Sequence, residues 1–269
     1  MREEILGEDG LLWCKVCGER RERIIDFPLL DGTGSTEKRK VNCNCRCDRE
    51  QKEATEKRFA FEEAQRQISE LRKLSLMDAK LTGVTFGTYR VTEDNRKAFD
   101  IAKRYVGKFD EMYQKGQGIL FWGDVGTGKS YTAAAIANEL LNGQTSVVMT
   151  SFIKLLGVLR SFEKEDSDYI DRLNRAKLLV IDDFGAESAS GFTLEKVYDI
   201  IDSRYRTGKP IIITTNMRLP DMQSCEDIRY NRIYDRLFEM CYPVKMDGKS
   251  WRKREAAARF DTMKKILEG

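Results

Sequence analysis

The glycine-rich stretch GDVGTGKS, from Gly123 to Ser130, has residue types and a spacing that suit a nucleotide's phosphate chain. It fits the pattern G-x-x-x-x-G-K-[ST], in which glycines let backbone N–H groups curl around phosphate oxygens. Lys129 would place its charge near the β- and γ-phosphates, and Ser130 would offer its hydroxyl to Mg²⁺. The alternative is a chance glycine turn, but an apolar run precedes the stretch and a helical pattern follows it. The predicted nucleotide-binding residues are Gly123, Asp124, Val125, Gly126, Thr127, Gly128, Lys129, Ser130 and Tyr131.

Two adjacent carboxylates, Asp182 and Asp183, end the apolar run LLVIDD. Ligands of open α/β sheets bind at the carboxyl ends of the strands, which is where these side chains would lie. We expect Asp182 to hold Mg²⁺, directly or through water, and Asp183 to orient or deprotonate the attacking water. Asn216 ends a second run, PIIITTN, and could contact the γ-phosphate or that water. The alternative for all three is that Asp and Asn commonly end strands because they favour turns.

Five of the seven cysteines lie within the first 50 residues and indicate a metal site. In a reducing cytosol such a cluster is more often a metal site than a disulfide framework. The chain has no histidine, so a tetrahedral site here would need four thiolates. We predict structural Zn²⁺, with an iron–sulfur cluster or metal-free thiols as alternatives. The predicted zinc ligands are Cys14, Cys17, Cys45 and Cys47, the last two because they adjoin a predicted helix, and Cys43 is the alternate.

Composition excludes several classes of protein. The net charge of +3 is too small to indicate a nucleic-acid binder by itself. The absence of histidine excludes triad and zinc enzymes that depend on imidazole. No stretch approaches the roughly 20 apolar residues that span a bilayer, and the N-terminus has no apolar signal core. We therefore expect a cytoplasmic chain that does not bind membranes.

The pattern of helices and strands divides the chain into three parts. Residues 1–50 form a short cysteine knuckle with a polar loop at 31–40, which we expect to be a small zinc-binding domain. Residues 51–84 form a charged connecting helix and a linker. From residue 85 to 269, short apolar runs alternate with helical patterns, which is typical of a parallel sheet covered on both faces. The predicted fold class is therefore α/β.

Phosphate loop, Asp-Asp strand and Asn-ended strand occur in the order found in the AAA+ ATPases. Within that superfamily the segments GILFWGDVGTGKS, LLVIDDFGAE, IIITTNM and YDRLFEMC resemble the bacterial and phage helicase loaders of the DnaC/DnaI type. They also resemble the related ATPase subunit of IstB-type transposons. The resemblance covers about residues 85–250, and the cysteine knuckle with its charged helix is similar to the phage and Gram-positive loaders. It implies an AAA+ P-loop NTPase fold with a central parallel sheet flanked by helices.

The resemblance also implies roles for particular residues. The glycine-rich stretch matches the Walker A loop, Asp182 and Asp183 match Walker B, and Asn216 matches sensor 1. Many AAA+ proteins have Glu where Asp183 stands, and the shorter side chain predicts slow ATP hydrolysis that assembly or DNA stimulates. The implied catalytic residues are Lys129, Asp182, Asp183, Asn216 and Arg236.

Arg236 matches the arginine finger that such ATPases insert into a neighbouring subunit's site. Arg232 is the substitute candidate for that finger. A structural arginine paired with Asp235 or Glu239 on the same helix is the alternative. The candidates for a sensor 2 arginine are Arg252 and Arg254.

The resemblance implies an ATP-dependent loader that uses ATP and Mg²⁺. It would bind a replicative DnaB-type helicase hexamer through its zinc knuckle and deliver the hexamer onto single-stranded DNA during replication initiation. Self-association into a helical or ring-like oligomer is also implied. The alternatives are an IstB-like ATPase that regulates DNA transposition and a P-loop metabolic kinase. Candidate DNA contacts, each of which could instead be an ordinary surface or core residue, are Arg160, Phe162 and Phe192.

Overall fold

The chain forms two compact units, Met1–Gln65 and Arg66–Gly269. The structure is a computed structural model that describes residues 4–28, 34–75, 77–161, 166–185 and 191–268. Compactness assigns no function to either unit, so the functional division at residues 50 and 84 stays a prediction. In the described part of the chain, no helix combines the length and the apolar character that a membrane crossing needs.

The first unit contains two antiparallel hairpins and the start of a long helix. Its elements are β1 (Glu4–Leu6), β2 (Leu12–Cys14), β3 (Glu22–Pro28), β4 (Thr36–Asn42) and α1 (Arg46–Leu74). The expectation of a polar loop at 31–40 was wrong for residues 36–40, which lie in β4 and pair with β3. Almost every side chain of β4 is exposed, so the strand has no alternation of apolar and polar residues by which sequence could identify it.

The second unit is built on a parallel sheet whose strands are, in chain order, β5 (Gly118–Trp122), β6 (Val147–Ser151), β7 (Leu178–Phe184), β8 (Ile211–Thr215) and β9 (Cys241–Lys245). Within the described residues the strand order is β6-β7-β8-β5-β9, and each neighbouring pair is parallel. The predicted central parallel sheet is confirmed. Strand β8 lies between β5 and β7, so it separates the strand before the glycine-rich loop from the strand that carries Asp182 and Asp183.

Helices cover both faces of this sheet. They are α2 (Glu93–Gly107), α3 (Phe109–Gln114), α4 (Lys129–Asn142), α5 (Phe152–Ser161), α6 (Asp166–Arg175), α7 (Gly191–Arg206), α8 (Leu219–Gln223), α9 (Ile228–Met240) and α10 (Trp251–Leu267). Alternate strand residues point to opposite faces, so Leu179 and Ile181 pack with α5, α6, α7 and α9. Leu178 and Val180 pack on the other face with α2, α3 and α4. The buried alanines of α4, from Ala133 to Ala137, allow that helix to approach the sheet closely.

A buried arginine links β7 and β8 at the end of the sheet opposite the glycine-rich loop. Arg204, at the end of α7, is fully buried. Its guanidinium donates hydrogen bonds to the carbonyls of Ala176, Lys177 and Pro210 at 2.8 to 3.2 Å. Burial lowers the pKa of Arg204 to about 9. These bonds tie the starts of β7 and β8 together, because the three carbonyls immediately precede those strands.

Candidate nucleotide-binding site and metal centre

The glycine-rich loop joins β5 to α4 and has a backbone that favours glycine. Gly126 and Gly128 have φ of 82° and 99°, in the left-handed region that L side chains rarely adopt. A Cβ on Gly126 would also lie 2.2 Å from Ser250 Oγ. Helix α4 begins at Lys129, immediately after Gly128, so the loop leads directly into a helix N-terminus, which favours anions. This arrangement fits a phosphate chain.

Lys129 is buried inside the loop, with 5% of its surface exposed. Its ammonium donates to the carbonyls of Gly123 at 2.8 Å and Asp124 at 2.6 Å. Burial lowers the pKa of Lys129, and the nearby carboxylates of Asp182 and Asp183 counteract that shift. The charge is therefore held by neutral carbonyls, and phosphate oxygens could replace these as stronger partners.

Asp182 and Asp183 lie where the ladder between β7 and β8 becomes irregular. Ile181 is opposite Ile213 and Phe184 is opposite Thr215, with a shift of register between the two pairs. Asp183 has φ of 56°, one of two left-handed non-glycine residues among those described. Two acidic residues of β7 therefore face one residue of β8 at the carboxyl edge of the sheet, while Asp182 stays in register with Ser151 of β6.

The carboxylate of Asp182 lies beside two hydroxyls. It accepts a hydrogen bond from Thr214 Oγ1 at 2.5 Å. Burial raises the pKa of Asp182, while the side-chain hydrogen bonds from Thr214 and Ser130 lower it. The structure therefore brings Ser130 and Asp182 together, which is the pair predicted to hold Mg²⁺, and oxygen ligands of this kind suit that ion.

The remaining predicted loop residues have different surroundings. Thr127 is buried and donates its hydroxyl to the Asp124 carbonyl at 2.9 Å, which closes the loop. Val125 is 59% exposed. Tyr131 donates to the carbonyl of Thr88 at 3.2 Å, so its side chain contacts the segment before α2. Asn216 is exposed and directly follows β8.

Arg236 lies on α9 and contacts α7. Its Nη2 is 2.5 Å from Asp202 Oδ1, although the angles are not those of a hydrogen bond. Its guanidinium lies over the rings of Tyr198 and Tyr205, at 4.6 and 5.6 Å from their centroids. The pairing with Asp235 or Glu239, offered as the structural alternative, is not the one formed, because the side chain reaches across to the next helix. Arg232, one turn earlier, is exposed.

The start of α10 packs on the glycine-rich loop, which the sequence did not predict. The Trp251 N–H donates to the Gly126 carbonyl at 2.9 Å. Of the two sensor 2 candidates, Arg254 pairs with Asp94 at 3.7 Å. The charge of Arg252 contributes to the lowered pKa of Lys129, after burial.

The candidate DNA contacts are described only in part. Arg160 is exposed near the end of α5. Phe162 lies outside the described residues. Phe192 lies in the first turn of α7, and its side chain is likewise outside the described part of the structure. These three assignments stay predictions.

The first unit brings four cysteine thiols together. The sulfur atoms of Cys14, Cys17, Cys45 and Cys47 all lie within 4.8 Å of one another. Four thiolates at about 2.3 Å from a tetrahedral Zn²⁺ would be roughly 3.8 Å apart, so the cluster fits the ion with a small contraction. The thiol of the alternate, Cys43, instead donates to the Arg20 carbonyl at 3.3 Å.

Hydrogen bonding within this cluster shifts the pKa values of Cys17 and Cys47 in opposite directions. Backbone N–H groups of Cys47 and Glu19 lower the pKa of Cys17 to about 6. The pKa of Cys47 is raised to about 12, first by its hydrogen bond with Cys17 and then by burial. A divalent cation bound by the cluster would favour the thiolate forms of its ligands.

Comparison with known proteins links this geometry to one family. The sequence profile of the family described as IstB-like ATP binding protein matches residues 89–258. The replicative helicase loader DnaI of Bacillus subtilis is 25% identical over 202 residues, which cover 70% of this chain and 64% of that protein. The replicative helicase loader DnaC of Escherichia coli is 29% identical over 158 residues, or 57% and 62% of the two chains. The chain thus spans less than two thirds of the length of these curated relatives.

The fold has the same relatives. A crystal structure of DnaI aligns with a TM-score of 0.56 and 25% identity, and covers 64% of this chain and 96% of that one. The expected AAA+ fold and the resemblance to helicase loaders are confirmed.

Proposed function

Because the chain belongs to the family of IstB-like ATP-binding proteins, we propose that it is an ATP-dependent loader of a replicative hexameric helicase. It binds a DnaB-type hexamer and delivers it onto single-stranded DNA in the cytoplasm during replication initiation. The observation that carries this proposal is the similarity to two proteins named replicative helicase loaders, in a chain that contains the glycine-rich loop and the paired carboxylates. The partners of those two loaders are attributed to this chain only by inference.

The chemistry of the proposed ATPase follows from the second unit. Lys129 exchanges its carbonyl partners for oxygens of the β- and γ-phosphates. Ser130 and Asp182 are the residues that would hold Mg²⁺, which when bound neutralises charge on the phosphates. Asp183 orients the attacking water and accepts its proton, and Asn216 contacts the γ-phosphate or that water. The shorter carboxylate of Asp183, compared with Glu, goes with slow turnover that self-association or DNA stimulates.

A regulator of DNA transposition is the second candidate. The matching family is described as IstB-like ATP binding protein, and the sequence also resembles the ATPase subunit of IstB-type transposons. The two candidates differ in their partners, a hexameric helicase in one case and a transposase on duplex DNA in the other. The four-thiol cluster favours the loader, because it fits the zinc knuckle that we propose binds the helicase.

We expect the tagged full-length protein to retain the replicative hexameric helicase encoded in the same genome. The two proteins would be co-expressed and purified in ATP and then in ADP, and the complex measured by light scattering. Loading would be measured as helicase transferred onto circular single-stranded DNA. Retention of a transposase, with no helicase complex in either nucleotide, would contradict loading and favour the second candidate.

We expect one zinc per chain and its loss on Cys14→Ser, since removal of one thiolate opens the tetrahedral site. Helicase retention should fall with the metal, whereas ATP binding should stay within about twofold because the ligands lie in the other compact unit. Elemental analysis of protein purified without chelator measures the zinc. The matched control is Cys43→Ser, which removes a thiol outside the cluster and should keep the metal. Equal zinc loss in both variants would contradict the assigned ligands.

A further inference from the structure

The strand between the phosphate-loop strand and the Asp-Asp strand carries a buried threonine at the bulge. Thr214 is the residue of β8 that lies between Ile213 and Thr215, which pair with Ile181 and Phe184 of β7. One residue of β8 therefore faces the two acidic residues of β7. Thr214 is completely buried, so water cannot take over the role of its side chain.

The hydroxyl of Thr214 makes a hydrogen bond to each of the two acidic residues. It accepts from the backbone N–H of Asp183 at 3.0 Å and donates to the carboxylate of Asp182 at 2.5 Å. A hydroxyl is one of the few side-chain groups that donate and accept at one atom. Serine could make both bonds, whereas valine, which has nearly the shape of threonine, could make neither.

The bond to Asp183 has a particular consequence for the backbone. Asp183 has φ of 56°, a conformation that an L residue adopts only when its surroundings hold it there. Its N–H donates to the Thr214 side chain, so this bond satisfies a group that the bulge takes out of the regular ladder. The same hydroxyl therefore supports the backbone of one acidic residue and the carboxylate of the other.

We propose that Thr214 is a positioning residue for ATP hydrolysis. Its hydroxyl orients Asp182 toward Mg²⁺ and Asp183 toward the attacking water. This inference rests on the proposed ATPase function. Thr214 acts through the carboxylate of Asp182 and the backbone of Asp183, and it has no proposed contact with the nucleotide. Its loss should therefore lower turnover and weaken the response to Mg²⁺, while nucleotide binding by the phosphate loop continues. Loss of a residue that orients a metal ligand typically costs 10- to 100-fold in activity or metal affinity.

The test compares Thr214→Val with Thr214→Ser in the full-length chain. We expect Thr214→Val to reduce kcat about 10- to 100-fold and to raise the Mg²⁺ concentration for half-maximal turnover. Its affinity for ATP without Mg²⁺ should stay within about twofold of the wild type. Thr214→Ser should restore most of the turnover because it restores the hydroxyl. A purely structural role in packing predicts the opposite pattern, because Thr214→Val keeps the shape of threonine whereas Thr214→Ser lacks its methyl group.

Thr150→Val is the matched control. Thr150 is also a buried threonine, on β6, and its hydroxyl has no hydrogen-bond partner among the described residues. Its replacement removes the same atom without removing a bond, so turnover and Mg²⁺ dependence should be unchanged. If Thr214→Val has no cooperative thermal transition, Thr214→Ala takes its place with the same measurements.

Three results would overturn the assignment. Wild-type turnover and Mg²⁺ dependence in Thr214→Val, with turnover strongly reduced in Lys129→Ala, would reject Thr214 and leave the proposed ATPase intact. An equal loss in Thr214→Ser would show that the hydroxyl alone does not support turnover, and would reject the assigned role of its two hydrogen bonds. No ATP turnover by the wild-type chain, alone or with helicase and DNA, would reject the ATPase and the positioning role together.

Discussion

Lys129→Ala is expected to reduce ATP turnover by on the order of 10²–10³-fold, the effect of losing one fixed donor to developing charge. Lys129 supplies the buried cation of the phosphate loop, and its two carbonyl partners show that it already points into the loop. Without it, the phosphates would have to be held by backbone dipoles and Mg²⁺ alone. Nucleotide affinity should fall as well, since the ammonium binds the ground-state phosphates too.

Calorimetric titration with ATP and the rate of phosphate release measure the two effects separately. The matched control is Lys115→Ala, which removes the same charge from an exposed position paired with Glu111. It should leave affinity and turnover unchanged. Because Lys129→Ala also removes two hydrogen bonds to backbone carbonyls, thermal unfolding is measured to separate any loss of stability from the loss of function. Wild-type affinity and wild-type turnover in Lys129→Ala would reject the nucleotide site.

The residues of the candidate nucleotide site could be picked out where a short stretch of sequence determines them. The glycine-rich loop occupies eight consecutive positions, and its residue types follow from one local backbone path. Asp182 and Asp183 could be placed because an apolar run predicts a buried strand and they follow it directly. The four clustered thiols could be predicted because Cys14 and Cys17 form a local turn, and Cys45 and Cys47 lie at the start of α1.

The geometry around those residues depends on contacts that sequence spacing does not indicate. Thr214 lies 32 positions from Asp182 in the sequence. Asn216, two residues after Thr214, is the polar residue at the strand end that the sequence pattern indicates as functional. The bulge and the left-handed Asp183 arise only when β7 and β8 pair. From the sequence, Arg204 would be expected to be an exposed charged residue of a helix. In the structure it is buried and donates hydrogen bonds to three carbonyls. Each of these features needs the tertiary structure.

The surroundings of Arg236 also lie beyond what its own helix predicts. Spacing on α9 offers Asp235 and Glu239 as partners, but the partner in the structure is Asp202 on α7. Asp202 also pairs with Arg206 at 2.8 Å, so it would keep one cation if Arg236 moved away. Two tyrosine rings flank the guanidinium. These contacts hold Arg236 within its own chain. In an assembly, Arg236 could exchange them for the γ-phosphate in a neighbouring subunit's site.

Arg236→Ala is expected to leave ATP binding by the isolated protein nearly intact and to remove the stimulation of hydrolysis by assembly or DNA. An arginine that completes a neighbour's site stabilises charge as it develops on the γ-phosphate, which is worth on the order of 10³–10⁵ in rate. Arg232→Ala is the matched control, since this exposed arginine lies one turn earlier on the same helix. Loss of stimulation in Arg232→Ala alone would assign the finger to that residue.

Mixing variants distinguishes a finger from a structural arginine. A chain with Arg236→Ala keeps its phosphate loop, and a chain with Lys129→Ala keeps its arginine, so a mixed assembly contains some complete sites. Activity should reappear and pass through a maximum as the ratio of the two chains is varied. A structural arginine predicts instead a loss of about 1–3 kcal/mol in stability, because the contact with Asp202 is removed. Thermal unfolding measures that loss, and a lowered Tm with no recovery at any ratio would show that Arg236 supports its own chain and not a neighbour's site.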